Sequence, residues 1–190
     1  MTDFSHTFYS CNTRRTFYSR NREDIDILLE TLISISKNET LFTDDKTVWL
    51  KVIADHFNLD DKEYTYVGKL YNISDKSESE KTENGISTIY FFEIAYSSEN
   101  GTASRLWNKI LHQFNQTHNT DIGYAYISDS SETDFFVKYD PTGFFYREKY
   151  RLTVHENGNT DTAYYENIDE LTDNTDQILE DYYTEEKNIE

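Results

Sequence analysis

Carboxylates interleaved with tyrosines are the residues of this chain best placed to do chemistry. From Glu156 to Glu190, twelve Asp and Glu stand against a single Lys, Lys187. Glu156, Asp161, Tyr164, Tyr165, Glu166, Asp169, Glu170, Asp173, Asp176, Glu180, Asp181, Tyr182, Tyr183, Glu185 and Glu186 form one such run. Carboxylates spaced along a surface can imitate nucleic-acid phosphates and fill a basic groove. Tyrosines between them supply the anchoring contacts that interfaces need. The plainer alternative is a charged face that keeps a domain dispersed and needs no partner.

Other constellations are weaker. Asp129, Glu132 and Asp134 form an acidic cluster that could hold Ca²⁺ or Mg²⁺, yet it lacks the glycine and terminal Glu spacing of an EF-hand loop, so a solvated turn explains it better. His112 and His118 lie near Asp121, short of the four ligands a structural zinc site takes. Cys11, the single cysteine, reads as a small buried hydrophobe rather than a nucleophile. There is no Gly-x-Ser-x-Gly, P-loop or dinucleotide fingerprint. The expectation is a non-enzymatic protein with no cofactor, no catalytic residue and no metal.

The opposite charge gathers at the other end. Arg14, Arg15, Arg20 and Arg22 stand among Phe8, Tyr9, Phe17 and Tyr18, with Asp3 the one acid in the first 22 residues. Two readings follow: an Arg/aromatic sheet face that stacks single-stranded nucleic acid, or arginines that pair with the acidic C-terminus. The whole chain has 36 Asp+Glu against 18 Lys+Arg, a net charge of −18. That field repels phosphates, disfavours nucleic acid and anionic membranes, and suits a basic protein surface. No secretory signal or membrane-length apolar run is visible, and a lone Cys agrees with a reducing compartment, so a cytoplasmic location is expected. Oligomeric state is left open.

The elements that must position these residues follow from periodicity. Residues 6–19 read as a strand or hairpin. Asn21 caps a helix with Ile25, Leu28, Leu29, Leu32, Ile33 and Ile35 at helical spacing. A second helix is expected after Thr43, with Asp44 and Asp45 in its first turn and Val48, Trp49, Val52, Ile53 and Phe57 on one stripe. Residues 64–73 read as a strand, 74–85 as an exposed flexible loop or hairpin tip, and 86–97 as the strongest strand. A helix from Gly101 or Thr102 to His118 turns Leu106, Trp107, Ile110, Leu111 and Phe114 inward. Strands are expected over 122–128, 135–139, 144–154 and 160–165. Asp140-Pro141-Thr142-Gly143 reads as a turn and Asn157-Gly158 as a hairpin turn. Mean hydropathy is −0.80 and hydrophobic content 36%, but aromatics reach 16%, too many for a disordered chain. The organisation is a single α+β domain over residues 1–166 and an acidic tail over 167–190, with a short helix or loose chain around 178–183. Two strand–helix–strand units give the expected fold class: α+β, a ferredoxin-like antiparallel sheet with helices on one face and an acidic C-terminal extension.

The runs IYFFEIAYSS, TASRLWNKILHQF and IGYAYISDSSETDFFVKYDPTGFFYREKYRLTV, with the opening FYSCNTRRTFYSRNREDIDILLETL, resemble the YubB-type ferredoxin-like domain of phage and plasmid proteins. The resemblance spans about residues 5–35 and 86–155. The family's Trp-rich segment between these blocks is absent, and the region of Trp49 and 64–73 departs from its pattern. The resemblance implies the ferredoxin-like fold and a mobile-element origin, and it brings no catalytic residues. With the charge, it makes the expected function that of an acidic, anti-CRISPR-like inhibitor. Such a protein would occupy the basic nucleic-acid channel of a host nucleic-acid-binding protein, a CRISPR effector being the named candidate. The alternatives are a nucleic-acid-binding module on the Arg/aromatic face and a metal-dependent enzyme using Asp129, Glu132 or Asp134.

Overall fold

Strand β1 (Ser10–Ser19) organises the molecule because it pairs on both sides. Along it the side chains alternate: Cys11, Thr13, Arg15, Phe17 and Ser19 are buried, while Asn12 and Arg14 are exposed. The computed structural model describes residues 10–37, 48–59, 68–81, 87–99, 102–130, 135–142, 144–145, 150–156 and 159–164. In chain order the remaining elements are α1 (Arg22–Lys37), β2 (Val48–Trp49), α2 (Leu50–His56), β3 (Gly68–Ile73), β4 (Ser77–Lys81), β5 (Ser87–Glu99), α3 (Ser104–His118), β6 (Gly123–Ser130), β7 (Phe135–Tyr139), β8 (Tyr150–Glu156) and β9 (Asn159–Tyr164).

All nine strands join one antiparallel sheet, ordered β2-β3-β5-β1-β6-β7-β8-β9, with β4 on β5. Its centre, β3-β5-β1-β6, is the ferredoxin-like arrangement. β5 lies between β3 and β1, which α1 connects along the chain, and β1 lies between β5 and β6, which α3 connects. The expected fold class is therefore the observed one. The acidic extension beyond Tyr164 lies outside the described residues.

One apolar cluster holds the helices to one face of this sheet. Phe17, Phe92, Ile94 and Tyr96 from the strands meet Ile25, Leu28 and Leu32 of α1, Leu50 and Ile53 of α2, and Leu106, Trp107, Ile110 and Phe114 of α3. Phe17 packs on Phe92 with ring centroids 5.4 Å apart and on Trp107 at 5.8 Å. The five inward positions read from the α3 periodicity are all buried.

Polar side chains fix the corners. Asn21 accepts the Glu23 backbone N–H at 3.1 Å as the cap of α1. Buried Asp24 accepts bonds from the Ser19 hydroxyl (2.9 Å), the Asn21 amide (2.8 Å) and the Asp121 backbone N–H (3.1 Å). One carboxylate thus ties β1, α1 and the α3–β6 connection together. Asp140, also buried, accepts from Thr142 and from the Phe145 backbone N–H at 2.7 Å, which makes the expected turn. Phe145 then packs against Tyr18 and Phe91 on the sheet's second face.

Three expectations are corrected. Val48 and Trp49 do not lie on the second helix, whose expected start after Thr43 with Asp44 and Asp45 lies outside the described residues. Val48 and Trp49 pair with Leu70 and Lys69 as a short edge strand, and α2 begins at Leu50. A β-branched and an aromatic residue suit a sheet edge as well as a helix stripe. Ser77–Lys81 is a strand, although it has no apolar residue. The long β5 gives part of one edge to β3 and the rest to β4, and the Ser74 hydroxyl bridges the junction by accepting the Glu93 N–H at 2.8 Å. Backbone pairing, rather than burial, makes that strand. Finally, Phe144 and Phe145 lie in a bend rather than in the expected strand, and the described β8 runs over Tyr150–Glu156.

Gly68 shows how closely β3 and β5 approach. A Cβ there would stand 2.4 Å from the Ser97 carbonyl oxygen and 2.9 Å from Ser98 Cα. Both are backbone atoms, so neither can swing aside. Gly68→Ala is expected to destabilise the fold by about 1–3 kcal/mol, as overpacking does. Urea unfolding checks it through a lowered midpoint with an unchanged m-value.

Candidate functional site

The chemistry-bearing residues from the sequence fall in several places. Glu156, Asp161 and Tyr164 lie on the β8–β9 ladder, opposite Asn159, Val154 and Arg151 respectively. Tyr165 and every later residue of the acid–tyrosine run lie outside the described residues, as do Glu132, Asp134, Phe8 and Tyr9. Asp129 is exposed near the end of β6. His112 and His118 are both exposed on α3, and His118 packs its ring on Phe114 at 4.3 Å. Among the described residues, no three His, Cys, Asp or Glu side chains gather as metal ligands. No helix among them is long and apolar enough to cross a membrane.

The four arginines do not form one patch. Strand alternation sends Arg15 inward and leaves Arg14 on the opposite face, near Asp129 and Tyr71. Partial burial raises the Tyr71 hydroxyl above the usual tyrosine range, the Asp129 charge adds to the rise, and Arg14 opposes it. Arg20 is exposed at the β1–α1 turn. Arg22 and Lys76 both contact Asp26.

Arg15 is the feature that sequence reasoning missed. It is 0% exposed and sits mid-sheet beneath α3, opposite Ile94 on one side and Tyr126 on the other. Its guanidinium carbon lies 4.6 Å from the Tyr124 ring centre and 4.8 Å from that of Tyr126, a cation–π arrangement. Tyr139 extends the stack at 4.9 Å from Tyr124 and 5.4 Å from Tyr126. Nη2 donates to Ser104 Oγ at 3.1 Å, and Nη1 reaches Asn108 Oδ1 at 3.5 Å. Both acceptors are neutral, the Tyr96 hydroxyl also lies against the guanidinium, and among the described residues Nε has no hydrogen-bond partner. Among the described residues, no carboxylate pairs with it. The available signal was the parity it shares with Phe17, two residues on, which points both to the same face.

The surroundings are polar and buried. Ser104 opens α3, and its Oγ lies 2.7 Å from Thr102 Oγ1. The Tyr96 hydroxyl donates to the Thr102 carbonyl at 2.8 Å, and Thr13 and Ser128 hydroxyls meet at 2.8 Å. The Tyr126 hydroxyl is buried with Ser104 beside it. Residue 103, the N-cap of α3, is an Ala in the left-handed region (φ 51°, ψ 25°), and no side chain caps the helix. Burial raises the Tyr96 and Tyr126 hydroxyls well above the ordinary tyrosine range; Arg15 offsets part of the rise at Tyr96, and Ser104 and then the Arg15 charge offset part of it at Tyr126.

Comparison with family models, with curated proteins and with solved structures finds no match for this chain. The reading of function therefore rests on the molecule itself.

Two outcomes follow for the arginine. A buried charge without a counter-charge costs more than an apolar side chain of similar size, whereas Lys keeps the charge but loses the planar stack and fork. Arg15→Met is expected to leave stability unchanged or raise it by about 1–4 kcal/mol, and Arg15→Lys to lower it by about 1–3 kcal/mol; denaturant melts of the two variants check the order. The tyrosines set a pH limit. Their folded-state hydroxyls hold protons that the unfolded chain releases above the ordinary value of 10.0. Stability is thus fully present below that pH and falls as pH rises beyond it. Tyr126→Phe is expected to flatten that fall in a pH series of urea midpoints.

Proposed function

We propose that this chain is a non-catalytic inhibitor whose acid–tyrosine run occupies the basic nucleic-acid channel of another protein. One observation carries the reading: the acids concentrate at one end of the sequence, with twelve Asp and Glu against one Lys from Glu156 to Glu190, and twenty-four against seventeen Lys and Arg before it. An acidic field needed only for solubility would be spread along the whole chain. A concentrated acid–tyrosine run is the composition expected of a polyanion mimic.

The split of the arginines favours this reading over a nucleic-acid-binding module. Arg15 is buried and Arg22 contacts Asp26, so β1 presents no continuous basic face to phosphates. The likeness to phage and plasmid proteins supports a mobile-element source, and a host defence nuclease such as a CRISPR effector is the target class that fits it.

Immobilised protein is expected to capture nucleic-acid-binding proteins from a host lysate and to release them as salt rises from ~50 mM to ~500 mM, the range in which contacts that mimic phosphates are screened. Competing DNA should release the same proteins. A gel shift showing that the purified chain itself binds labelled RNA or DNA at moderate salt overturns the proposal. So does capture that salt leaves unchanged.

A further inference from the structure

We propose that the second face of the sheet, around Arg14, Tyr71 and Asp129, is the contact surface for a second copy of this chain. This is the face turned away from the core and its three helices. Strand alternation puts Asn12 and Arg14 on it, both exposed. Residues directly opposite on neighbouring strands share a face. Ala95 and Ile127, opposite Arg14, therefore belong to it, as do Ser97 and Asp129, opposite Asn12. Lys69 follows opposite Ser97, and Lys138 opposite Ile127. β3 adds an anchor. Its register with β5 shifts between Leu70 and Asn72, which makes Tyr71 the extra residue of a bulge. Leu70 and Ile73 both turn to the core, three residues apart, so Tyr71 and Asn72 stand together on the other side, both exposed. At 48%, Tyr71 is the most exposed large hydrophobic side chain among the described residues. Arg14 and Asp129 lie near enough for their charges to act on its hydroxyl. Tyr and Arg are the side chains that most often anchor protein interfaces.

Charge selects the occupant. Arg14, Lys69 and Lys138 share this face with Asp129 and with Glu93, which lies opposite Thr16. The patch thus carries both signs, although the whole chain carries −18. A second copy, itself at −18, is repelled from acidic surface and meets least repulsion here. The patch also complements itself. In a two-fold contact every interaction is made twice, with the partners exchanged. Arg14 and Asp129 lie diagonally on neighbouring strands, roughly 7 Å apart by sheet geometry. A two-fold axis in the interface, midway between them, sets Arg14 over the partner's Asp129 and Asp129 over the partner's Arg14. The five strands from β3 to β7 span about 24 Å by 20 Å at ordinary strand spacing and rise. Two such faces bury about 1,000 Å² together, the lower bound of a specific interface, so the dimer is a weak one. The contact stands apart from the inhibitor reading, since it does not use the acid–tyrosine run.

Sedimentation equilibrium of the full chain tests this. The average mass should rise from 22.6 kDa toward twice that value as protein increases from ~1 µM to ~1 mM, the range in which a small interface associates. Raising salt from ~20 mM to ~200 mM should strengthen the dimer, because salt screens the repulsion between two acidic chains more than it screens charge pairs buried between them. Tyr71→Ala should weaken association at least about tenfold, as loss of an interface anchor does. Arg14→Glu alone and Asp129→Arg alone should each hold the chain monomeric, and the two together should restore the dimer. All four variants change exposed positions, and unchanged urea midpoints verify that they fold. A chain that stays monomeric throughout overturns the proposal, as does a dimer that both single reversals leave intact or a double variant that stays monomeric. Association that salt weakens overturns it too, and assigns the contact to the acidic run of one copy on cations of the other.

Discussion

A permanent positive charge lies in the middle of the covered sheet face, and the surrounding fold is arranged around it. Arg15 occupies the central strand, where an apolar side chain would cost least. Its guanidinium is held by two tyrosine faces and two neutral acceptors from α3. The helix is thereby tied to the strand by polar contacts at Ser104 and Asn108, and by apolar ones through Trp107 and Phe17. Removing a charge from water costs several kcal/mol. Cation–π contacts of about 2 kcal/mol each when desolvated, with two hydrogen bonds, offset part of that cost.

The charge of the whole chain takes on a different meaning beside this site. Of the net −18, −11 falls between Glu156 and Glu190. In the function proposed, that acid–tyrosine run supplies the long-range field that draws a basic partner. Among the described residues, no carboxylate reaches Arg15.

Much of this architecture was legible in the sequence. Leu106, Trp107, Ile110, Leu111 and Phe114 read directly as a buried helix stripe, and Pro141 within Asp-Pro-Thr-Gly as a turn. Two strand–helix–strand units predict the order that the sheet adopts. What escaped reading depends on pairing across the chain. Val48 and Trp49 satisfy a helical stripe and a sheet edge equally well until Lys69 and Leu70 come beside them. Ser77–Lys81 has no apolar signal, since only the unfilled edge of β5 makes it a strand. The arginines look like a patch when read as composition. Read with period two, Arg14 and Arg15 must point to opposite faces, and the buried cation was there to be found.

The account turns on whether the Arg15 guanidinium is dry. Hydrogen exchange at side-chain Nε–H groups measures this directly in the native chain at neutral pH. A buried, stacked guanidinium should exchange its Nε proton far more slowly than that of exposed Arg20 in the same spectrum. Equal exchange at the two arginines would mean that water reaches Arg15 freely, and the placement of this charge in the core would be contradicted.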